Sequence, residues 1–296
     1  MGNSTSTSTI RGVEVLKYTA FAPEASGGNP AGVVLDPGDL DDAAMLKIAA
    51  EVGYSETAFL WPLDAPGHYR IQYFAPEVEV PFCGHATIAS AVVLAEHGVR
   101  GEIVFETRSG AVAVKVRRDD EGRPVATLTS VKPNIQPAAD GVVAEALAAL
   151  GWMHVDIDPE LPPRVVYAGA SHLVFGVRTR ELLTAMSYDF QRMRNLMERE
   201  GWTTGQLVWR ENPATFQARV PFPPGGVVED PATGAAAAAL GAYLRELKLV
   251  QPPAQVTIFQ GADMGRPSRL VVDIPPGDGG IDVSGTAAVL PADHRL

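Results

Sequence analysis

The chain has 296 residues, enough for two domains of ordinary size or one large one. Its 24 Lys and Arg against 35 Asp and Glu give a net charge of −11, a balance that repels phosphate backbones and anionic lipid, so neither a nucleic acid nor a membrane is expected as a partner. Hydrophobic residues at 46% and charged residues at 20% exclude wholesale disorder, and the single cysteine, Cys83, excludes an intrachain disulfide and argues against a cysteine-based zinc site.

No apolar run reaches the roughly 18 residues of a membrane span. Met1–Thr9 lacks the apolar core of a secretory signal and reads as a disordered polar tail, although Gly2 and Ser6 fit a myristoylation pattern. The expected location is the cytoplasm.

In chain order, Val13–Thr19 and Ala31–Leu35 read as strands around the turn Gly27-Gly28-Asn29-Pro30. Over Asp41–Val52 an Asp41 or Asp42 cap precedes Met45, Ile48, Ala49 and Val52 at helical spacing, and Gly53 stops the helix. Thr57–Trp61 and Tyr69–Phe74 read as strands, and His85–His97 as an alanine-rich helix between Gly84 and Gly98. Glu102–Glu106 and Ala111–Arg117 form a hairpin about Gly110, followed by a strand at Pro124–Thr129. A helix then runs from an Asp140 cap to Leu150, followed by strands at Val165–Ala168 and Leu173–Val177. Thr179–Ala185 and Tyr188–Glu200 read as helices, the second with Ser187 as its cap. After strands at Leu207–Trp209 and Thr215–Val220 comes a second alanine-rich helix, Ala235–Leu247. Strands at Gln255–Phe259, Arg269–Ile274 and Ile281–Val283 finish the chain.

The chain echoes itself. Arg70-Ile-Gln-Tyr-Phe-Ala-Pro leads through Cys83-Gly84-His85 into the first alanine-rich helix. Arg219-Val-Pro-Phe-Pro-Pro leads through Glu229-Asp230-Pro-Ala-Thr-Gly234 into the second, half the chain later. The simplest account is a duplicated lobe. Lys132–Ala139, with two prolines, is the best boundary. It divides an N-terminal lobe, 10–131, from a C-terminal lobe, 132–280, with 281–290 able to return to the first. Helices this rich in Ala, Val and Leu cannot lie on a surface, so each is expected inside the sheet of its own lobe.

Helix amino termini expose unpaired N–H groups and the positive end of the dipole, which suits a carboxylate or an enolate. Around the two alanine-rich helices stand His85, at the start of the first, Asp230, four residues before the second, and Glu56, at a helix–strand junction. Taken singly, these read as a helix-capping histidine, a turn former and a solvated loop residue. Taken together, two carboxylic acids and an imidazole beside anion-binding N–H groups can move a proton between carbon atoms of a bound acid. His68, His97, His154 and His294 show no ligand spacing. His172, at the start of a strand, fits either a substrate contact or a structural role. Trp61, Trp152, Trp202 and Trp209 read as packing residues, and Cys83 as a small apolar one.

The segments Gly28-Asn29-Pro-Ala-Gly-Val-Val34, Tyr54-Ser-Glu56-Thr-Ala-Phe59, Phe74 to Thr87 with its Cys-Gly-His-Ala-Thr block, Gly169-Ala-Ser-His172-Leu-Val174, Glu229-Asp230-Pro-Ala-Thr233-Gly234, Gly265-Arg-Pro-Ser268 and Val283-Ser-Gly-Thr-Ala287 occur in one order along the chain. In these segments the chain resembles the PhzF-like family of phenazine biosynthesis, isomerases with the diaminopimelate-epimerase-like fold. The resemblance implies an α+β fold of two pseudo-symmetric lobes, each a mostly antiparallel sheet rolled around a central helix, with the active site in the cleft between them. It further implies acid–base catalysis with no metal or organic cofactor, a small carboxylic acid as substrate, and a homodimer. By resemblance Glu56, His85 and Asp230 are the catalytic residues, and Asn29, Gly84, Thr233, Gly234, Ala235 and His172 the substrate-binding ones. Glu56 would take a proton from one carbon and return it at another. The phenazine enzyme carries a serine where this chain has Ala235. The related epimerases use two opposed cysteines, which a chain with one thiol cannot supply. Two further readings stand beside this one. In the first, a two-base epimerase uses Glu56 and Asp230; in the second, the scaffold binds or regulates without catalysis.

Overall fold

The computed structural model describes residues 7–295. The polar-tail reading and the Gly2/Ser6 pattern fall largely outside them. The polar segment's end is ordered: β1 (Thr7–Ile10) pairs antiparallel with β2 (Val13–Ala20) through a tight turn at Arg11 and Gly12. The chain divides into two compact units, residues 1–128 with 284–296 and residues 129–283.

Unit 1 continues with β3 (Asn29–Leu35), α1 (Asp42–Val52), β4 (Glu56–Pro62), β5 (His68–Phe74), the short β6 (Glu79–Val80), α2 (Gly84–Glu96), β7 (Glu102–Thr107), β8 (Gly110–Arg118) and β9 (Pro124–Thr129). From β2 the ladder runs antiparallel to β3, parallel to β4, antiparallel to β5, parallel to β7 and antiparallel to β8. Each parallel step needs a crossover longer than a hairpin turn, and α1 and α2 supply them. In unit 2 the elements are β10 (Asn134–Pro137), α3 (Asp140–Leu150), β11 (Arg164–Tyr167), β12 (Ser171–Gly176), α4 (Arg180–Thr184), α5 (Phe190–Glu200), β13 (Thr204–Asn212), β14 (Thr215–Arg219), α6 (Gly234–Glu246), β15 (Ala254–Gln260) and β16 (Ser268–Ile274). The ladder from β11 to β16 repeats the same five steps in the same order: antiparallel, parallel, antiparallel, parallel, antiparallel. The chain then passes through β17 (Asp282–Gly285) to β18 (Ala287–Val289), which pairs with the far half of the β2 edge that β1 leaves open.

The two alanine-rich helices are the axes of their units. In α2, eleven consecutive residues, His85 to Ala95, are buried, and the helix packs on β2, β3, β4, β8 and β18. In α6, Ala236 to Leu244 are buried against β10, β11, β12, β13 and β16. A helix buried all round needs small side chains where strands come close. A Cβ on Gly241 would stand 2.7 Å from Val272 and 2.8 Å from Ile281. The opposite sheet faces are covered by α1 in unit 1 and by α3 and α5 in unit 2. Met45, Ile48, Ala49 and Val52 form the buried stripe of α1, as their spacing predicts, and each such apolar side chain larger than alanine contributes about 1.5–3 kcal/mol on burial.

Two predicted caps move by a residue or two. Asp140 is the first helical residue of α3 rather than its cap, and α5 is capped by Asp189, whose carboxylate accepts from Arg192 N at 3.0 Å, not by Ser187. Strands β6 and β10, two and four residues long, have no counterpart in the sequence reading, whereas β18 lies within its segment 281–290. No helix among the described residues is long and apolar enough to cross a membrane.

Candidate active site

The first group of functional side chains lies in unit 1, where two features of the chain converge. Gly53 closes α1 in the left-handed conformation (φ 73°), Tyr54 buries its ring, and the chain enters β4 at Glu56. Glu56 pairs with Ala31 on the parallel strand β3, which begins at Asn29. Nearby, α2 starts at Gly84 after an extended Cys83 that gives it no side-chain cap. The amide hydrogens of its first turn are therefore not taken by a capping side chain, unlike those of α1, α4 and α5, which Asp41, Thr179 and Asp189 cap.

His85 is the hub. Its Nε2 lies 3.3 Å from Glu56 Oε2 and 3.3 Å from Ser55 Oγ, and its Nδ1 lies 3.3 Å from Asn29 Nδ2 and 3.4 Å from Cys83 Sγ. If the Asn29 amide nitrogen donates to Nδ1, the neutral ring carries its proton on Nε2, the nitrogen nearer Glu56. The His85 side chain is 9% exposed and that of Glu56 17%, so the carboxylate is shielded but open on one side. Glu56 Oε2 itself is buried without a hydrogen bond of good geometry. Cys83 is more than a packing residue, since its sulfur touches the imidazole. Glu56, Cys83 and His85 each offer a ligand atom within 4.8 Å of the others, which makes them the one set among the described residues with the makings of a metal site.

The second group lies in unit 2, ahead of α6. Thr233 is extended and again supplies no side-chain cap to the helix; its hydroxyl donates instead to the Asp230 carboxylate. Asp230 is half-buried, and its backbone N–H donates to Val220 O at 3.0 Å. Two residues that the sequence reading passed over hold this loop. Gln260, 1% exposed at the end of β15, donates from Nε2 to Asp230 O at 2.7 Å and to Thr233 Oγ1 at 3.1 Å. Arg219, at the end of β14, donates from Nε to both oxygens of the buried Glu229, at 3.0 and 3.2 Å, and from Nη1 to Thr184 O at the end of α4 and to Met186 O just past it. Burial works against the Arg219 charge, but the Glu229 hydrogen bonds outweigh it and hold the guanidinium pKa above its usual value. Arg219 stood in the repeated strand and Glu229 in the motif, so the only signal available was charge complementarity ten residues apart. Gln260 gave none.

Of the other expected substrate-binding residues, Asn29 is buried and bonded to His85, Gly84 and Ala235 are half-buried at their helix starts, and Gly234 is buried. The surroundings of His172 fit the structural one of its two readings. The residue is wholly buried on the face of β12 that packs against α6, with Nδ1 2.7 Å from Thr204 Oγ1, and has no exposed surface with which to meet a ligand. Burial pushes its pKa down to about 3.

Residues 18–292 match the model of the phenazine biosynthesis-like proteins, PhzC-PhzF. An isomerase of Mesorhizobium japonicum whose role is uncharacterized is 34% identical, covering 95% of this chain and 97% of its own. The trans-2,3-dihydro-3-hydroxyanthranilate isomerase of Pseudomonas fluorescens is 32% identical over 85% of this chain and 86% of its own. The crystal structure of a PhzF-family protein from Bacillus anthracis superposes with a TM-score of 0.86, covering 94% of this chain and 97% of its own at 23% identity, and so shares the fold. The chain belongs to the phenazine biosynthesis-like family and is a PhzF-like isomerase.

Proposed function

We propose that this isomerase moves a proton, and with it a double bond, within a small carboxylic acid, and that Glu56 is the base. The observation that carries the reading is the mostly buried Glu56 carboxylate, with Oε2 3.3 Å from His85 Nε2, near a helix start whose amides no side chain caps. Glu56 takes a proton from a carbon of the substrate, and the electron pair left behind spreads into the conjugated acid. The first-turn amides of α2, from Gly84 onward, stabilise the charge that develops there. Glu56, now protonated, returns the proton at another carbon of the same π-system, and the double bond shifts. Atoms and charge balance with no other reactant. His85 orients the carboxylate through Nε2 and is itself oriented by Asn29. At the start of α6, in unit 2, Ala235 presents a methyl and no hydroxyl.

The asymmetry of the repeat removes one candidate for the second base of an epimerase and leaves Asp230 as the other. Thr204 stands in unit 2 where Glu56 stands in unit 1, and its hydroxyl is committed to His172. The test is incubation in deuterium oxide with a panel of cyclic and unsaturated carboxylic acids that includes trans-2,3-dihydro-3-hydroxyanthranilate, the acid for which the Pseudomonas relative is named. Proton NMR should show a migrated double bond with part of the original hydrogen retained. Full deuterium incorporation with inversion at one carbon would favour the epimerase.

A further inference from the structure

We propose that Gln260 is a positioning residue for Asp230, acting through the Thr233 hydroxyl. The positioning half of this inference stands on geometry; the catalytic half rests on the reading that Asp230 takes part in the reaction. Gln260 is 1% exposed and ends β15, where it pairs with Ala218 on the parallel strand β14 and with Ser268 on the antiparallel strand β16. Its backbone is therefore fixed from both sides. The next residue, Gly261, lets the strand end run close to the loop, since a Cβ added there would stand 2.7 Å from Pro231 O.

The backbone groups around it fix the orientation of the Gln260 carboxamide. Asp230 O can only accept, and it lies 2.7 Å from Nε2; the Thr233 N–H can only donate, and its nitrogen lies 3.4 Å from Oε1. Gln260 thus bridges the carbonyl of residue i and the amide of residue i+3, the two groups that a β-turn commonly joins directly. The second Nε2 hydrogen goes to Thr233 Oγ1 at 3.1 Å. That oxygen accepts from Gln260, and its own hydrogen points to the Asp230 carboxylate, which when ionised can only accept. One buried amide sets both the width of the 230–233 turn and the direction of the hydroxyl that meets the carboxylate.

The ordinary use of a threonine at this place is different. An N-cap threonine accepts from an amide of its own helix, as Thr179 does for α4 from Leu182 N at 3.2 Å. Thr233 stands at the N-cap of α6 and makes no such bond. Gln260 holds its hydroxyl on the Asp230 side instead. With one hydrogen bond received and one given, Thr233 Oγ1 gives the carboxylate a partner of fixed direction. A small misplacement of a reacting group is costly in rate, so loss of Gln260 should appear in kcat more than in KM.

The experiment uses the full chain, first without substrate. Amide hydrogen exchange at Thr233, read by NMR, should be at least about tenfold faster in Gln260→Met, where the acceptor is gone, and unchanged in Gln260→Glu, where an oxygen remains. Turnover is then measured on trans-2,3-dihydro-3-hydroxyanthranilate and on any other acid of the panel that the natural chain converts. In Gln260→Met, Gln260→Glu and Thr233→Val, kcat should fall at least about tenfold with KM within about threefold, while Thr233→Ser, which keeps the hydroxyl, stays within about threefold of the natural chain. Gln260→Glu gives the result that a merely structural role would not: the amide stays protected, yet no hydrogen remains to donate to Asp230 O or Thr233 Oγ1. The double variant Gln260→Met/Thr233→Val should lose less than the product of the two single losses. Circular dichroism checks the fold of each chain, and if a Gln260 variant does not fold, Thr233→Val against Thr233→Ser carries the test. Unchanged exchange at Thr233 in Gln260→Met, or full turnover in Thr233→Val beside a crippled Asp230→Asn, would overturn the inference. Full turnover in Asp230→Asn itself would overturn only the catalytic half, by removing Asp230 from the reaction while the Gln260 bridge stands.

Discussion

Glu56 and Thr204 occupy equivalent positions in the two halves of the chain. Each follows by three residues a left-handed glycine that closes a helix, Gly53 or Gly201, and by two a buried aromatic ring, Tyr54 or Trp202. Each opens a strand parallel to its neighbour, where Glu56 faces Ala31 in register and Thr204 faces His172. One half presents a carboxylate beside an imidazole; the other closes the equivalent place with a hydroxyl–imidazole bond of 2.7 Å.

This closure makes stability depend on pH. Burial holds the His172 pKa at about 3, below the 6.5 of a free histidine. Above pH 6.5 the folded and unfolded chains are both neutral at this ring. Between 6.5 and 3 only the unfolded chain takes up the proton, so stability falls as pH falls, by about 1.4 kcal/mol per unit, or about 2 kcal/mol at pH 5. Urea unfolding at about pH 7.5 and pH 5 should show this loss in the natural chain and a shallower one in His172→Gln. Equal slopes in both would place the pH dependence elsewhere.

The Arg219–Glu229 pair should behave as a buried ion pair with one partner removed. Arg219→Met leaves Glu229, at 6% exposure, without its guanidinium and should cost about 3–5 kcal/mol. Glu229 directly precedes Asp230, so turnover should fall even at temperatures where the variant is folded. Denaturant midpoints and kcat measured on the same preparation check both effects.

Two glycines should separate stability from binding. At Gly261 the backbone is left-handed (φ 76°), and a Cβ would stand 2.4 Å from Arg266 O and 2.7 Å from Pro231 O, next to Asp230. Gly261→Ala should destabilise the chain by more than about 1 kcal/mol. At Gly84 no atom lies within 4 Å of the added Cβ. Gly84→Ala should leave stability within about 0.5 kcal/mol and raise KM, because the methyl fills space at the α2 start. Thermal melts and steady-state kinetics of the two variants should give opposite patterns.

Much of this architecture was legible in the residues. The spacing of Met45, Ile48, Ala49 and Val52 marked α1, and the uncharged runs after Gly84 and after Gly234 marked two helices that had to be interior. The repeat was legible from its glycines, but its most exact expression, the five-step ladder, emerges only when strands pair. Glu56, His85 and Asp230 could be named from motifs, but the contact of Asn29 with His85 could not. Gln260 could not be found, because a glutamine ending a strand carries no local signature of what it will hold 30 residues earlier. The choice between the two roles of His172 stayed open for a related reason. Position at a strand start does not say which face is buried, and only packing against α6 decides it. The short strands β6 and β10 are set by their partners rather than by their own sequence.

The most direct test of the account is the exchange of substrate hydrogen with deuterium oxide by Glu56→Gln, read by NMR on a carboxylic acid that the natural chain turns over. Gln is close to Glu in shape and keeps a hydrogen-bonding partner for His85, so circular dichroism and the melting temperature should match the natural chain. Double-bond migration and exchange should both fall by at least about a hundredfold, the scale of a lost general base. Retention of full exchange in a correctly folded Glu56→Gln chain would contradict the central claim.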